Sequence, residues 1–442
     1  MVKWILHFSL FTLHSSFSAL HSESQPSNRK IVKTMTTSTC VNNVRKVNLA
    51  TFFCLYIAQF IPSTFITTAM QVTMRQANYG LATIGLLHLV HIPWIVKFLW
   101  SPMVDRYCAR MSNYKHFILC MEAIYALSIL CIGFFDISKD FYFIFVLVFI
   151  SMFASATQDI ATDGLAVRAF CKGDHSAVNS MQSMGRYAGA FLGSGIFIVM
   201  LEKYGWNVVF PMLGLLALLM VLPLQVNRHI RIEERSQKHR AKLIDFVWFF
   251  SRKEILPHVA FLLLYFMGII GIISNVRPYM VDLGYDMKEI GVWFGMVGTA
   301  TSFFMAWVGH VMIKRVGMYK ARRIVAMMIV TAPLYFLMLT FTQPVLPLLV
   351  GGLLLVKTCH AFASIVVYTS AMDCVREGRE GTDFTVQVVV VHISSTLISL
   401  IAGGVGEWLD YRGLYIIELC IAVVSLVYVM RVFKPNTVVA KW

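Results

Sequence analysis

The sequence predicts an all-α membrane protein with twelve transmembrane helices in two six-helix pseudo-repeats. Hydrophobic residues make up 58% of the 442 residues and charged residues only 14%, whereas soluble domains carry about 25% charged residues. Apolar runs close to the roughly 20 residues that a helix needs to cross the hydrocarbon layer recur along the whole chain. Similar short sequences also occur at corresponding places in the two halves. These three observations define the predicted fold class.

The apolar runs give the order of the predicted helices. In the first half they cover residues 47–72, 81–100, 117–135, 141–165, 178–201 and 207–226. In the second half they cover residues 256–280, 290–313, 322–342, 347–372, 385–405 and 414–432. The chain accordingly divides into an N-terminal extension (1–45), a six-helix bundle (46–226), a basic linker (227–255), a second six-helix bundle (256–434) and a short tail (435–442).

The N-terminal extension contains an apolar stretch at residues 4–20 that follows Lys3, as in a weak signal peptide. Cleavage there would leave the mature N-terminus outside the cell, which conflicts with the orientation that the loop charges predict. We therefore expect residues 1–34 to be dispensable, with a working start near Met35.

The positive charges predict this orientation, because cytoplasmic loops retain Lys and Arg. Most of the 38 basic residues lie in the loops that join even-numbered to odd-numbered helices, in the linker and near the termini. The opposite side holds Arg75, Lys139, Lys203, Lys288 and Arg412. We predict a multi-pass protein of the cytoplasmic (inner) membrane with both termini in the cytoplasm.

The composition also excludes several classes of function. The formal net charge of +15 needs no nucleic acid to explain it, because the basic residues are spread along one membrane face. The nine cysteines include no C-x-x-C pair, so we expect no metal site and no cofactor. No G-x-x-x-x-G-K-S/T loop is present, which argues against ATP-driven pumping. The expected partners are the bilayer, a small solute and protons, and we expect a monomer.

The turn after the second helix is similar to the turn after the eighth. WSPMVDRYCARMSNYK has Asp105 and Arg106 where GHVMIKRVGMYKARR has Lys314 and Arg315. A second pair of matching segments, SAVNSMQ and GTDFTVQ, opens the fifth and eleventh helices, although chance similarity between apolar helices is an alternative there. Repeated six-helix halves are typical of alternating-access carriers, which bind solute near the bilayer midplane.

Charged side chains inside the second, fourth and fifth predicted helices form the first candidate site. Asp159 and Asp163 lie one helical turn apart, so their repulsion favours protonation of at least one of them. Lys97 and Arg186 are predicted at a similar depth. We expect a charge cluster near the cytoplasmic side, and together with Asp105 and Arg106 it is either a static clasp or a gate whose ion pairs break when the carrier opens inward.

Lys357 is the main candidate for solute contact. It lies about ten residues, or roughly 15 Å, into the predicted tenth helix and therefore near the bilayer centre. His360, Ser364 and Tyr368 follow at helical spacing and extend a polar stripe from it. The alternative is that Lys357 pairs with a buried acid and only stabilises the bundle.

The intramembrane charges favour an anionic solute. Arg277, near the outer end of the seventh helix, either attracts that solute or snorkels to the interface. The basic residues in predicted spans are Lys97, Arg186, Arg277 and Lys357, and the acidic ones include Asp159, Asp163, Glu122 and Glu418. If transport is driven by protons, Asp159, Asp163 and Glu122 are the candidates to titrate.

The turns after the second and eighth helices resemble the loop signature of the major facilitator superfamily, although Ser101 stands where a Gly is usual and Cys108 and Ala109 replace later positions. Within that superfamily, K-F-L-W-x-P-x-x-D-R-Y at residues 97–107 and A-x-Q-D-x-x-x-D at residues 156–163 resemble the muropeptide permease (AmpG-type) and acetyl-coenzyme A transporter branch. That branch is also similar to some ferric-siderophore importers. The resemblance implies a carrier for a bulky anion.

The predicted function is therefore proton-coupled secondary transport of a muropeptide-like anion by alternating access, and not enzymatic catalysis. A ferric-siderophore importer or an acyl-coenzyme A transporter of the same fold is the alternative. A polytopic membrane enzyme that uses His360 and Asp373 is a remoter one, against which the two-fold repeat argues. Facilitated diffusion is the alternative to proton coupling.

Overall fold

The computed structural model describes residues 32–76, 86–137, 139–232, 241–242, 244–251, 253–342 and 345–433, and in these residues all regular structure is helical. The predicted tail and most of the predicted N-terminal extension lie outside this part of the chain.

Eleven helical segments are labelled here α1 to α11. The first half contains α1 (Val32–Gln76), α2 (Leu89–Leu99), α3 (Met111–Ile132), α4 (Phe141–Ala169), α5 (Lys172–Tyr204) and α6 (Trp206–Val226). The second half contains α7 (Leu256–Asp282), α8 (Gly291–Val316), α9 (Met318–Leu339), α10 (Leu346–Asp373) and α11 (Glu380–Val432). Two short helices, Ser101–Tyr107 and Asp245–Phe250, lie after α2 and within the linker.

The lengths of these segments suit a membrane protein. Among the described residues, ten segments are long and apolar enough to cross a membrane, and α2 is a shorter apolar helix. The last segment, α11, has 53 residues and would measure about 80 Å if straight, more than twice the hydrocarbon thickness. Asp410, with φ 56° and ψ 179°, divides it into two helices. The all-helical membrane fold is confirmed, and the count of twelve spans stays a prediction.

Hydrogen bonds between helices show which helix ends lie together at each end of the bundle. Lys115 at the start of α3 donates to the backbone oxygen of Asn227, and the Asn227 amide donates to Asn48 in α1. At the opposite end, the Trp206 indole donates to the backbone oxygen of Ile132 at 2.9 Å. The linker leaves α6 and enters α7 at the first of these ends, which is called the linker face below.

Close packing of α1 against α5 holds the first half together. Gly185, Gly189 and Gly193 recur four residues apart on α5 and face α1. A Cβ atom at Gly189 would lie 2.5 Å from the Cβ of Phe60 and 2.8 Å from its backbone carbon. The two halves then meet where α5 packs against α8 and α10, and where α4 packs against α11. This arrangement brings the polar residues of α4, α5 and α10 to the middle of the molecule.

The close approach of α5 to α1 predicts a stability effect. Gly189→Ala should lower the apparent melting temperature of the purified protein by the equivalent of about 1–3 kcal/mol, because the backbone of α1 must move to admit the methyl group. Gly195→Ala, on the same segment, is the control, since no atom lies within 4 Å of a Cβ there. Equal melting temperatures for the two variants would contradict this account of the packing.

Candidate functional site

A buried polar stripe runs along α4. Its members recur at helical spacing and are Ser155, Gln158, Asp159, Thr162 and Asp163. Each is 0–3% exposed. Because the hydrocarbon layer offers no hydrogen bonds, the two carboxylates of this stripe need partners on neighbouring helices. The partners of the two carboxylates show how this is achieved.

Asp159 forms an ion pair with Lys97 of α2. The contact joins Lys97 Nζ to Asp159 Oδ2, and the two side chains are 0% and 5% exposed. The Lys97 ammonium also lies 4.8 Å from the centre of the Trp94 ring. Each charge of this pair is neutralised by the other, so neither is left alone in an apolar environment.

Asp163 has neutral partners. The Tyr56 hydroxyl of α1 donates to its Oδ1 at 2.8 Å, and the Gln182 amide of α5 donates to the same atom at 3.1 Å. The neighbouring carboxylates of α4 therefore contact different helices and do not share one cation. Among the described residues, no ion pair to Asp163 is present.

Arg186 of α5 lies between aromatic rings and does not join the Lys97–Asp159 pair. Its guanidinium carbon lies 5.2 Å from the centre of the Phe60 ring and 5.7 Å from the centre of the Tyr368 ring. Phe60 belongs to the first half and Tyr368 to the second, so Arg186 sits at the boundary between the halves. No ion pair to Arg186 is found in the described part of the chain.

Lys357 and Arg277 meet at one aromatic ring. The Lys357 ammonium lies 4.1 Å and the Arg277 guanidinium 4.0 Å from the centre of the Phe294 ring at the start of α8. Arg277 is exposed and Lys357 is partly buried. Within the residues that the structure describes, neither cation has a carboxylate within ion-pair distance. The alternative in which Lys357 pairs with a buried acid therefore has no support in this part of the chain.

The rest of the predicted stripe on α10 points toward α5. The Tyr187 hydroxyl and His360 Nδ1 lie 3.1 Å apart, which joins the two halves. Ser364 donates to the backbone oxygen of His360 at 2.8 Å, and Tyr368 lies against Arg186. His360 and Asp373, the residues considered for an enzyme site, have different partners, because Asp373 contacts His175.

Asp105 joins the two halves at the linker face. Its carboxylate accepts hydrogen bonds from the backbone amides of Gly381 and Thr382 at 3.0 and 2.7 Å and from the Thr382 hydroxyl at 2.7 Å. It therefore caps the N-terminus of α11, where the helix dipole favours a negative charge. Burial raises the pKa of the Asp105 carboxyl to about 6, although these hydrogen bonds favour the ionised form.

A second charge cluster on the linker face was missed by the sequence analysis. Arg376 forms a two-pronged ion pair with Asp383, at 2.6 and 2.8 Å. Asp245, in the short linker helix, lies 2.7 Å from Arg379 and 3.9 Å from Arg376. The ring of Phe246 in the same helix packs against Phe98 in the first half, with centroids 5.4 Å apart. The linker helix thus contacts both halves.

The two remaining predicted residues lie apart from these clusters. Arg106 is exposed on the linker face. Glu122 of α3 is 0% exposed, and among the described residues neither of its carboxyl oxygens has a hydrogen-bond partner. In the same part of the chain, no group of three His, Cys, Asp or Glu side chains is arranged to hold a metal ion.

Comparisons with known proteins agree with this architecture. The profile of the Major Facilitator Superfamily matches residues 49–395. The chain is 20% identical to the "Anhydromuropeptide permease" of Escherichia coli (strain K12) over 386 residues, covering 86% of this chain and 79% of that protein. It is also 20% identical to the "Putative transporter AmpG 4" of Rickettsia conorii, covering 86% and 94%. The solved structure of the proton:xylose symporter XylE aligns with a TM-score of 0.67 at 10% identity, covering 88% of this chain and 96% of that one.

The burial of the Lys97–Asp159 pair predicts that breaking it is costly. Lys97→Met should destabilise the protein by about 3–5 kcal/mol, because Asp159 is left unpaired in an apolar environment. Lys314→Met is the control, since it removes an exposed pair with Asp174 that should contribute about 1 kcal/mol or less. Similar losses of apparent melting temperature for both variants would show that the buried ion pair contributes no more to stability than the exposed one.

The raised pKa of Asp105 predicts that the stability of the folded protein depends on pH. The folded protein binds a proton at Asp105 more tightly than the unfolded chain, whose carboxyl has an ordinary pKa of 3.8. This contribution to stability is present at low pH and is lost as the pH rises through about 6. The melting temperature of wild type relative to Asp105→Asn should therefore fall as the pH rises from 3.8 to about 6. A difference that stays constant over this range would contradict the assignment.

Proposed function

The chain belongs to the Major Facilitator Superfamily, and we propose that this membrane transporter carries a bulky anionic solute of the muropeptide class. In this proposal it is a secondary, proton-coupled carrier that works by alternating access, with twelve spans in two six-helix repeats. It resides in the cytoplasmic membrane, and the linker face, with both termini, is cytoplasmic.

The pair of cations at Phe294 is the observation that carries the proposal. Two positive charges on one ring repel each other, and the partial burial of Lys357 reduces the screening of this repulsion by water. An anion bound between Lys357 and Arg277 would relieve it and would form charge-assisted hydrogen bonds with both side chains. No carboxylate of the described residues occupies that place, so the site suits an anionic group that comes from outside.

The aromatic residues deeper in the molecule suit the remainder of such a solute. A muropeptide combines carboxylates with sugar rings, and sugar rings pack well against aromatic faces. Phe60, which flanks Arg186 together with the buried Tyr368, offers such a face beside a second positive charge. The curated relative named as an anhydromuropeptide permease covers most of this chain, which supports this class over other anions.

The contacts on the linker face support alternating access. Asp105 holds the start of α11, and Lys314 of α8 reaches Asp174 of the first half at 3.3 Å. These bonds close the linker face in this structure, so the solute would enter from the opposite side. An inward-facing state would require these contacts to break, which is the behaviour expected of a gate.

The partners of the buried carboxylates indicate which of them would carry protons. Asp159 has Lys97 to neutralise it. Asp163 and Glu122 have no cation partner in the described part of the structure, so each is easier to bury with a proton than without one. We propose Asp163 as the main coupling residue because it also contacts α1 and α5, and Glu122 as a second candidate.

Uptake by the reconstituted protein tests the proposal. Proteoliposomes with an imposed proton gradient should accumulate an anhydro-muropeptide, and an uncoupler should abolish accumulation. Ferric siderophores and coenzyme A thioesters are measured in parallel, and accumulation of one of these in place of the muropeptide would reassign the solute. Product formation without net flux would identify an enzyme.

The cation pair predicts the effect of one substitution. Lys357→Met should reduce muropeptide uptake by roughly 10- to 100-fold, the value of one charge-assisted hydrogen bond to the solute. Lys203→Met is the matched control, because Lys203 also lies over an aromatic ring, Tyr204, at 5.3 Å but belongs to the end of α5. Unchanged uptake by the Lys357 variant would remove that residue from the solute site.

A further inference from the structure

His175 joins the two halves at the linker face. Its Nδ1 atom lies 2.8 Å from Oδ1 of Asp373, and its Nε2 atom lies 3.0 Å from the backbone oxygen of Phe170 and 3.3 Å from that of Val167. His175 belongs to the start of α5 in the first half, and Asp373 ends α10 in the second half. The imidazole is 3% exposed, whereas the Asp373 side chain is 30% exposed.

This geometry determines how many protons the pair holds. Backbone oxygens can only accept hydrogen bonds, so Nε2 of His175 has to carry a hydrogen. The contact between Nδ1 and Asp373 then needs a second hydrogen, either on Nδ1 or on the carboxyl group. In both arrangements the pair holds one proton more than a neutral imidazole beside a carboxylate. Without that proton, two acceptors would face each other in a partly buried contact, which is unfavourable.

We infer that His175 and Asp373 form a proton-binding site that is complete only while the linker face is closed. Opening of that face separates α5 from α10 and removes Asp373 from His175. The extra proton is then released to the solution on the linker face, which the Asp373 side chain already contacts. The inference rests on the proposed function in one respect, since it requires that the linker face opens.

The proton at this site is not transported, because it enters and leaves on the same side. Its effect is regulatory. A lower pH on the linker face, which the proposed function places in the cytoplasm, favours the closed state and hence slows release of solute to that side. One proton changes the ratio of closed to open molecules by at most tenfold per pH unit.

Other charged groups around the contact have their own partners. Lys172 donates to the backbone oxygen of Asp373, and Lys314 pairs with Asp174. Arg168 donates to the backbone oxygen of Cys108. Arg322 donates to the Ser370 hydroxyl. His310, the other imidazole at this interface, lies 2.8 Å from the Ser176 hydroxyl. A hydroxyl can donate or accept, so this contact tolerates either protonation state of His310.

The distance between the halves on the linker face provides the test. Spin labels at Tyr107 and Lys320, which are exposed in the first and second halves, would report closed and open populations of the full chain in nanodiscs without solute. In the wild type, the ratio of closed to open molecules should fall by up to tenfold per unit as the pH rises from about 6.5 to 8.5. His175→Gln, which keeps a hydrogen-bond donor but does not titrate, should lose this dependence, and so should Asp373→Asn.

Two controls make the result specific. His310→Gln should retain the wild-type dependence. Asp105→Asn should retain it as well, because the Asp105 carboxyl, with its pKa of about 6, titrates mainly below the range measured. A wild type without pH dependence, or His175 and Asp373 variants that keep it, would overturn the inference. The distance measurement needs no solute, so a failure to transport muropeptides would leave its outcome unaffected and would count against the proposed function alone.

Discussion

The cost of placing a charge in hydrocarbon is the constraint on which the interior of this protein depends. In the first half, the ion pair of Lys97 and Asp159 meets that constraint by joining α2 to α4. Asp163 meets it through neutral donors on α1 and α5. The four helices are thereby held in one relative rotation, since a shift of any of them would leave a buried polar group without its partner. The glycines of α5 permit this arrangement, because they let α1 approach closely enough for Tyr56 to reach α4.

The second half meets the same constraint differently. Lys357 and Arg277 share the ring of Phe294 and have no carboxylate partner in the described residues. The contrast separates two roles. Charges that the protein neutralises internally hold helices in place, whereas charges that it leaves available suit a ligand of opposite sign. Arg186, stacked between rings at the boundary of the halves, lies between these two regions.

Contacts from three separate parts of the chain join the elements that meet at the linker face. Asp105 caps α11, His175 contacts the end of α10, and Asp245 of the linker helix pairs with Arg379 just before α11. All three lie at the segment that connects α10 to α11 or at the helix ends that flank it. These contacts therefore hold the connecting segment in position. One of the three contacts includes the Asp105 carboxyl, whose pKa is raised by burial to about 6.

The sequence by itself determined the membrane fold, the approximate helices and most of the residues that bear charge inside them. Composition and the length of apolar runs carry that information, because both depend only on neighbouring positions in the chain. The tertiary structure decided which residues are partners. It paired Lys97 with Asp159 and not Asp163, placed no acid of the described residues beside Lys357, and brought His175 to a residue 198 positions away. Such choices depend on the rotation and axial position of each helix relative to its neighbours, which helical periodicity within a single segment does not specify.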